Sequence, residues 1–199
     1  MEKKYFFFDI DGTLTDRSTG KIVPSAREAL DRLEANGHFV AIATGRAHYK
    51  ARKFTGANGF KNMVCCGGNG CVINNELVEN IPLDKEGCLQ IIHQSEELGY
   101  GWCVALDDTK DVYMTDDKFL RQVGKRKEPT RYIIDDMLDI DSVDAIYKIY
   151  VAIPKEEEEK LTKKELIGHL RFEPEYLMFQ PDNKRGGIVK MMEYLGADN

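Results

Sequence analysis

Two carboxylates, Asp9 and Asp11, close a run of four aromatics, Tyr5-Phe6-Phe7-Phe8, and Gly12 and Thr13 follow at once. In an extended chain a spacing of two puts both acids on one side. Gly12 lets the backbone turn there and aim amide groups at an anion. Paired carboxylates beside amides and a hydroxyl suit Mg2+ with a phosphate, because Mg2+ takes one or two carboxylates and completes its shell with waters and substrate oxygens. A carboxylate can also attack phosphorus itself, which divides one difficult hydrolysis into two easier steps. The plainer alternative makes Asp9 and Asp11 turn or helix-capping residues.

The elements around these acids are legible from periodicity and punctuation. Residues 5–10 read as a buried strand that delivers polar residues at its C-terminal end. A small hairpin or flap over 13–23 follows, with Asp16, Ser18 and Gly20 as turn residues. Pro24-Ser25 opens a helix that runs through Asn36, with Ala26, Ala29, Leu30 and Leu33 at helical spacing and Gly37 as its stop. Residues 38–43 form a second apolar strand, which ends in Thr44-Gly45-Arg46. A helix over 47–54 leads to a third strand, 63–66, and then to Gly67-Gly68-Asn69-Gly70. Apolar strands alternating with helices imply a parallel sheet with right-handed crossovers. In such a sheet ligands bind outside the carboxyl ends of the strands. Asp9, Asp11, Thr44, Gly45 and Asn69 all fall at such ends.

After Cys71 the pattern changes. Residues 72–78 read as a hairpin turning on Asn74-Asn75, and Pro82 marks a boundary. A helix over 84–98, a hairpin of 102–106 with 112–115, a strand over 147–153, a charged helix from Pro154 to near Leu170 and a strand over 176–180 then follow. A last helix, 187–195, turns Ile188, Met191, Met192 and Leu195 inward. The fold class is α/β, a parallel-sheet unit into which an α+β unit is inserted.

Composition narrows the function classes. The 199 residues carry 28 Lys and Arg against 34 Asp and Glu, a net charge of −6, which argues against a general nucleic-acid surface. The only compact basic run, Lys125-Arg126-Lys127, is followed by Glu128 and reads as a solvated loop. No apolar stretch approaches the roughly 18 residues of a membrane helix, and the N-terminus lacks the features of a signal peptide. The expected location is the cytoplasm. Five cysteines, two of them adjacent, do not suit a disulfide framework and read as reduced, buried thiols. Cys65, Cys66 and Cys71 lack the paired spacing of a metal cluster.

Phe8-Asp9-Ile10-Asp11-Gly12-Thr13-Leu14 resembles the first motif of the haloacid dehalogenase-like superfamily, and Ala43-Thr44-Gly45-Arg46 resembles the second in its Cof-type phosphatase branch. The segment Cys66-Gly67-Gly68-Asn69-Gly70-Cys71-Val72 resembles that branch's third-strand end. Asn183-Lys184-Arg185-Gly186-Gly187-Ile188 resembles the lysine motif that follows its cap. The resemblance spans essentially the whole chain in the right order. It implies a Rossmann-like core over 1–82 and 183–199 and a C2-type, Cof-type α+β cap over 83–182. It implies Asp9 as nucleophile, and Asp11 as general acid and then general base with a raised carboxyl pKa. Thr44 would bind phosphoryl oxygens, and Lys184 would offset charge on the nucleophile and the phosphate. Mg2+ would sit on the Asp9 carboxylate and the Asp11 backbone carbonyl. Gly12 and Gly45 belong to the same phosphate-binding set, while Arg46 and Asn69 stay open between structural and substrate-facing roles. Trp102, Tyr113 and Met114 stand open between lining the cap's cleft and forming its core.

Members of the family carry a fourth motif, a Gly-Asp then Asn-Asp at the end of a further core strand. No counterpart occurs here, because Asp198-Asn199 directly follows the helix stop at Gly196. The expectation is that the first strand has an unpaired edge and that the chain is a fragment of a longer phosphatase. The expected activity is Mg2+-dependent hydrolysis of small phosphorylated metabolites, with phosphotransfer as a relative within the enzymes. The alternative from another class is a non-catalytic phosphate-binding or interaction protein. The second acid, Asp11, favours phosphoester hydrolysis over dehalogenation.

Overall fold

The first strand, β1 (Tyr5–Phe8), lies parallel to β2 (Phe39–Ala43), with Phe8 opposite Ile42, and β2 lies parallel to β3 (Met63–Cys65). These relations come from a computed structural model that describes residues 2–16, 18–126 and 130–197. The described residues divide into two compact units, one over 1–80 and 183–199 and one over 81–182.

In the first unit the sheet order is β1-β2-β3-β4-β5, with β4 (Gly70–Ile73) and β5 (Glu76–Asn80) joined antiparallel. Asn74 and Asn75 both take positive φ, the conformation of a two-residue hairpin turn whose twist matches its strands. Helices α1 (Pro24–Ala35) and α2 (His48–Asn58) supply the crossovers. Pro24 opens α1 and Leu30 is its fully buried anchor against Ile42 and Met63. A third helix of this unit, Lys184–Tyr194, buries Met191, with Ile188 and Leu195 packed against Ala41 and Val64, whereas Met192 stays half-exposed.

Strand β1 departs from the buried strand that its aromatics predict. All four residues are only half-buried, because β1 ends the sheet and pairs with β2 alone among the described residues. Its open side is the unpaired edge that the sequence led us to expect.

The second unit holds a six-stranded sheet around α3 (Lys85–Glu97). Its strands are β6 (Trp102–Ala105), β7 (Asp111–Met114), β8 (Arg131–Ile134), β9 (Lys148–Val151), β10 (His169–Glu173) and β11 (Tyr176–Phe179), in the order β10-β11-β9-β6-β7-β8. All neighbours are antiparallel except β7 and β8, between which the short helix α4 (Lys118–Val123) makes the return. One face of this sheet buries Ile91 and Ile92 of α3 against Trp102, Ile149 and Phe179. The other buries Met114 and Phe119 with Tyr150. Trp102 and Met114 are therefore core residues of this unit, and Tyr113 packs on its first face. The helix from Lys184 is α5 in chain order.

Two expectations in this unit are corrected. No α-helix runs from Pro154 to Leu170. The segment forms two 3-10 turns, Lys155–Lys160 and Thr162–Leu166, and then enters β10. Leu161, at φ −83° and ψ 77°, breaks the helical path so that its own side chain enters the core with Ile167. Of the segment's charges, Glu158 makes a tertiary pair, accepting from Arg171 Nε at 2.8 Å. The second correction concerns the basic run. Arg126 does not project into solvent, since its guanidinium lies 3.7 Å from the centre of the Tyr150 ring and its backbone N–H donates to the Tyr132 hydroxyl. Lys127 and Glu128 of that run, and Asp198 and Asn199, lie outside the described residues.

No helix among the described residues is long and apolar enough to cross a membrane. No disulfide joins the cysteines; Cys65, Cys71, Cys88 and Cys103 are buried and Cys66 is half-buried.

Candidate active site

Three parallel strands release their chains at one edge of the first unit's sheet. Asp9 follows Phe8 of β1, Thr44 follows Ala43 of β2 and Cys66 follows Cys65 of β3. The parallel register sets Phe8 beside Ile42 and Ala43 beside Val64, so the three ends are level. This is the edge at which an open parallel sheet binds ligands.

After Asp9 the chain turns sharply. Ile10 is fully buried, which anchors the turn, and its carbonyl accepts from the Thr15 backbone N–H at 3.1 Å and from the Thr15 hydroxyl at 2.8 Å. Asp11 thereby stands outside with its side chain 61% exposed, and Gly12 follows at φ +82°.

Each acid meets one cation. Lys184 Nζ donates to Asp9 Oδ1 at 3.0 Å, across 175 residues of sequence. Lys184 is the first residue of α5, and the Asn183 side chain before it accepts from the Gly186 N–H at 2.9 Å, which caps the helix. Arg46 grips Asp11 at two points, Nε to Oδ2 at 2.8 Å and Nη2 to Oδ1 at 2.5 Å. The guanidinium also lies 5.8 Å from the Phe54 ring centre, so α2 supports it from behind.

The floor of the site is a set of backbone bonds. Thr44, almost fully buried, donates its N–H to the Val64 carbonyl at 2.9 Å and its side-chain oxygen accepts from the Arg46 N–H at 3.2 Å. Gly45 is the half-buried bend between them. The 3-10 turn Cys66–Gly68 is held by Cys66 N–H to the Arg46 carbonyl at 2.8 Å and Gly67 N–H to the Thr44 carbonyl at 3.3 Å. Asn183 N–H donates to the Gly67 carbonyl at 2.8 Å, so this turn also positions the start of α5. Asn69 closes the turn through its N–H to the Cys66 carbonyl at 3.4 Å.

The geometry joins Asp9 with Lys184, joins Asp11 with Arg46, and ties Thr44 and Gly45 to Arg46 by the backbone. Gly12 adjoins Asp11, and Asn69 belongs to the turn beneath Arg46. One expectation is reversed. The Asp11 carboxyl is held below its ordinary range, not raised: the chief cause is the Arg46 hydrogen bond, which together with the Arg46, Lys50 and Lys184 charges outweighs the opposing effect of burial. Lys50 was not among the residues singled out from the sequence. It lies in the first turn of α2, three residues after the Ala47 cap, and no local pattern in the sequence links it to Asp11. Asn183 was read as part of a motif, and its capping role follows from an Asn directly before a helix whose third residue is Gly186.

Residues 6–197 match the family model of haloacid dehalogenase-like hydrolases. Among curated proteins, a Bacillus subtilis protein named "Putative phosphatase YkrA" is 28% identical over 116 residues, which is 58% of this chain and 45% of that protein. A phosphoglycolate phosphatase of Nitrosopumilus maritimus is 35% identical over 72 residues, 36% of this chain and 31% of that protein. The matched stretches thus span less than half the length of either relative. Among solved structures, a hypothetical protein of Geobacillus kaustophilus superposes with a TM-score of 0.75 at 23% identity, covering 100% of this chain and 77% of that one. The sugar phosphatase BT4131, described as subclass IIB of the same superfamily, gives 0.70 at 20% identity, over 99% of this chain and 77% of that one. These two share the fold.

Proposed function

We propose, from the premise that this chain belongs to the haloacid dehalogenase-like hydrolase family, that it hydrolyses small phosphate monoesters through a phosphoryl group carried on Asp9. One observation carries the reading: two carboxylates, each with its own cation, follow the carboxyl end of β1, level with the end of β2 and its buried threonine. The names of the two curated relatives, both phosphatases, support it. We assign 83–182 as the inserted cap of this family.

Asp9 is the nucleophile. Lys184 engages its Oδ1, which leaves the second carboxylate oxygen for in-line attack on phosphorus. Asp11 gives a proton to the leaving alkoxide and later takes one from the water that cleaves the aspartyl phosphate. A phosphoryl group at the site competes with Asp11 for Arg46, and as that ion pair loosens the Asp11 carboxyl loses its main acidifying contact. Thr44, the backbone around Gly12 and Gly45, and Asn69 surround the phosphoryl oxygens.

The donor set fits Mg2+. It is made of hard oxygens, and among the described residues no group of three or more His, Cys, Asp or Glu is gathered for a softer or fully protein-bound ion. The Asp9 carboxylate and the Asp11 carbonyl would hold Mg2+ with waters and substrate oxygens completing its shell. Bound there, the ion would offset charge on the phosphoryl group.

The alternative reading is a phosphate-binding protein without turnover. Hydrolysis of an aryl phosphate by the 199-residue chain, with and without Mg2+ and beside Asp9→Asn, separates the two. Turnover that needs both the ion and Asp9, with a phosphoryl adduct mapped to Asp9, is the expected result. Phosphate binding without turnover would move the assignment to the second reading.

A further inference from the structure

Cys65 and Cys66 are neighbours in sequence, and in an extended strand their side chains would point to opposite faces. Here Cys66 takes φ +52°, a left-handed conformation that non-glycine residues rarely adopt. The turn brings the two sulfurs within 4.0 Å of each other. Gly70 stands opposite Cys65 across the antiparallel pair, and a Cβ there would lie 2.5 Å from Cys65 Sγ and 3.3 Å from Cys66 Sγ. The missing side chain of Gly70 is thus the space that both sulfurs share. Cys65 is fully buried, while Cys66 is half-buried and so open to a small oxidant.

Cys66 also begins the turn beneath the candidate site. Its N–H holds the Arg46 carbonyl, its neighbour Gly67 holds the Thr44 carbonyl, and the Gly67 carbonyl receives the Asn183 N–H. A covalent change at this pair therefore acts on the backbone that places Thr44, Arg46 and Lys184.

We propose that Cys65 and Cys66 are a reversible redox pair whose oxidation to a disulfide between neighbours releases the 66–69 turn from Thr44 and Asn183. The oxidant is hydrogen peroxide. The Cys66 thiolate attacks one peroxide oxygen, the O–O bond breaks, and the departing oxygen leaves as water after taking a proton. The Cys65 sulfur then attacks the Cys66 sulfenic sulfur, the S–O bond breaks, the S–S bond forms and a second water leaves. Two electrons pass from the sulfurs to the peroxide, and a dithiol returns them. Adjacent Cα atoms stand about 3.8 Å apart, closer than the roughly 4.4–6.8 Å of ordinary disulfides, so the bond is strained and readily reduced. Such a bond suits a switch better than a structural link.

The test treats the full chain with hydrogen peroxide and reads peptide mass and amide hydrogen exchange. The expected product is a Cys65–Cys66 link, about 2 Da lighter and reversed by dithiothreitol, with exchange at Gly67 and Asn183 accelerated tenfold or more. Cys65→Ser should instead leave a sulfenic acid on Cys66 that dimedone traps, and Cys66→Ser should show neither product nor change in exchange on treatment. A link from either residue to Cys71, no link at all in the folded chain, or a link with unchanged exchange would overturn the proposal. Neither readout depends on turnover, so a failure of the phosphatase reading is seen separately. Where turnover is present, peroxide should lower it at least tenfold in the unmodified chain and leave the treated-to-untreated ratio of Cys66→Ser unchanged.

Discussion

Arg46 and Asp11 form a two-point ion pair, with Nε at 2.8 Å and Nη2 at 2.5 Å from the two carboxylate oxygens. The pair ties the turn after β1 to the segment between β2 and α2, and it holds Asp11 ionised. Because the carboxyl pKa is depressed in the folded chain, its stabilisation is present above the unfolded value and is lost as pH falls through the folded one. With Asp11 well exposed, solvent screening limits the contribution to about 0.2–1 kcal/mol. In Arg46→Met the Asp11 carboxyl should titrate closer to its ordinary value, and the acid limb of the stability profile should flatten. Carboxyl 13C shifts and denaturant midpoints between about pH 2 and 6 check both.

Lys184 depends on the cap before it. Asn183→Ala removes the bond to the Gly186 N–H and should cost about 1 kcal/mol. It should also raise KM for an aryl phosphate more than it lowers kcat, since it blurs the position of Lys184 and leaves the charge in place. Lys184→Met should lower kcat/KM by roughly 10²-fold, about 2.7 kcal/mol of transition-state stabilisation, with partial recovery in Lys184→Arg. Equal kinetics for Lys184→Met and the unmodified chain would contradict its place beside Asp9.

Two glycines in helices should respond with opposite signs. Gly187 lies where α5 meets the 3-10 turn, and an added Cβ would stand 2.6 Å from the Gly68 carbonyl oxygen and 2.6 Å from Val64 Cγ1. Gly187→Ala should destabilise by about 1–3 kcal/mol and disturb the site. Gly56, inside α2, has nothing within 4 Å of an added Cβ. Gly56→Ala should stabilise by about 0.4–1 kcal/mol without changing kinetics. Urea denaturation of both variants makes the comparison.

His93 gives the second unit a pH dependence of opposite sense. Its Nε2 lies 3.0 Å from Asp141 and its Nδ1 3.4 Å from Glu96, and the Asp141 hydrogen bond is the main cause of its raised pKa. A raised pKa gives stabilisation that is full below the ordinary histidine value and fades as pH rises through the folded one. The ring is well exposed, so the effect is a fraction of a kcal/mol. Thermal unfolding at about pH 6 and about pH 8 should show a smaller difference in His93→Gln than in the unmodified chain. The His93 ring proton should titrate above its ordinary value in NMR.

Much of the first unit is readable without coordinates because its signals are local. Apolar strands of four or five residues, Pro24 at a helix start, and Asn74-Asn75 between two strands each carry their structural consequence within a few residues. The second unit was harder. Strand β8 and helix α4 are too short to show periodicity, and both went unassigned from the sequence. In 155–170 a run of charges suggested a helix, yet Leu161 and Ile167 are six apart, a spacing that fits no single helical face.

For the candidate site the division is similar. Types and order were enough to single out Asp9, Asp11, Gly12, Thr44, Gly45 and Asn69, because strand ends and a glycine turn can be recognised from nearest neighbours, whereas Arg46 and Lys184 were singled out through the family resemblance. Which cation meets which acid was decided by the fold alone. Lys184 reaches Asp9 across 175 residues and Arg46 reaches Asp11 across 35. Those distances close only when parallel strands stack in register and α5 is seated by Asn183 on the Gly67 carbonyl. The charge state of Asp11 follows from that closure, since a pKa answers to the groups within a few ångströms and not to the residues beside it in sequence.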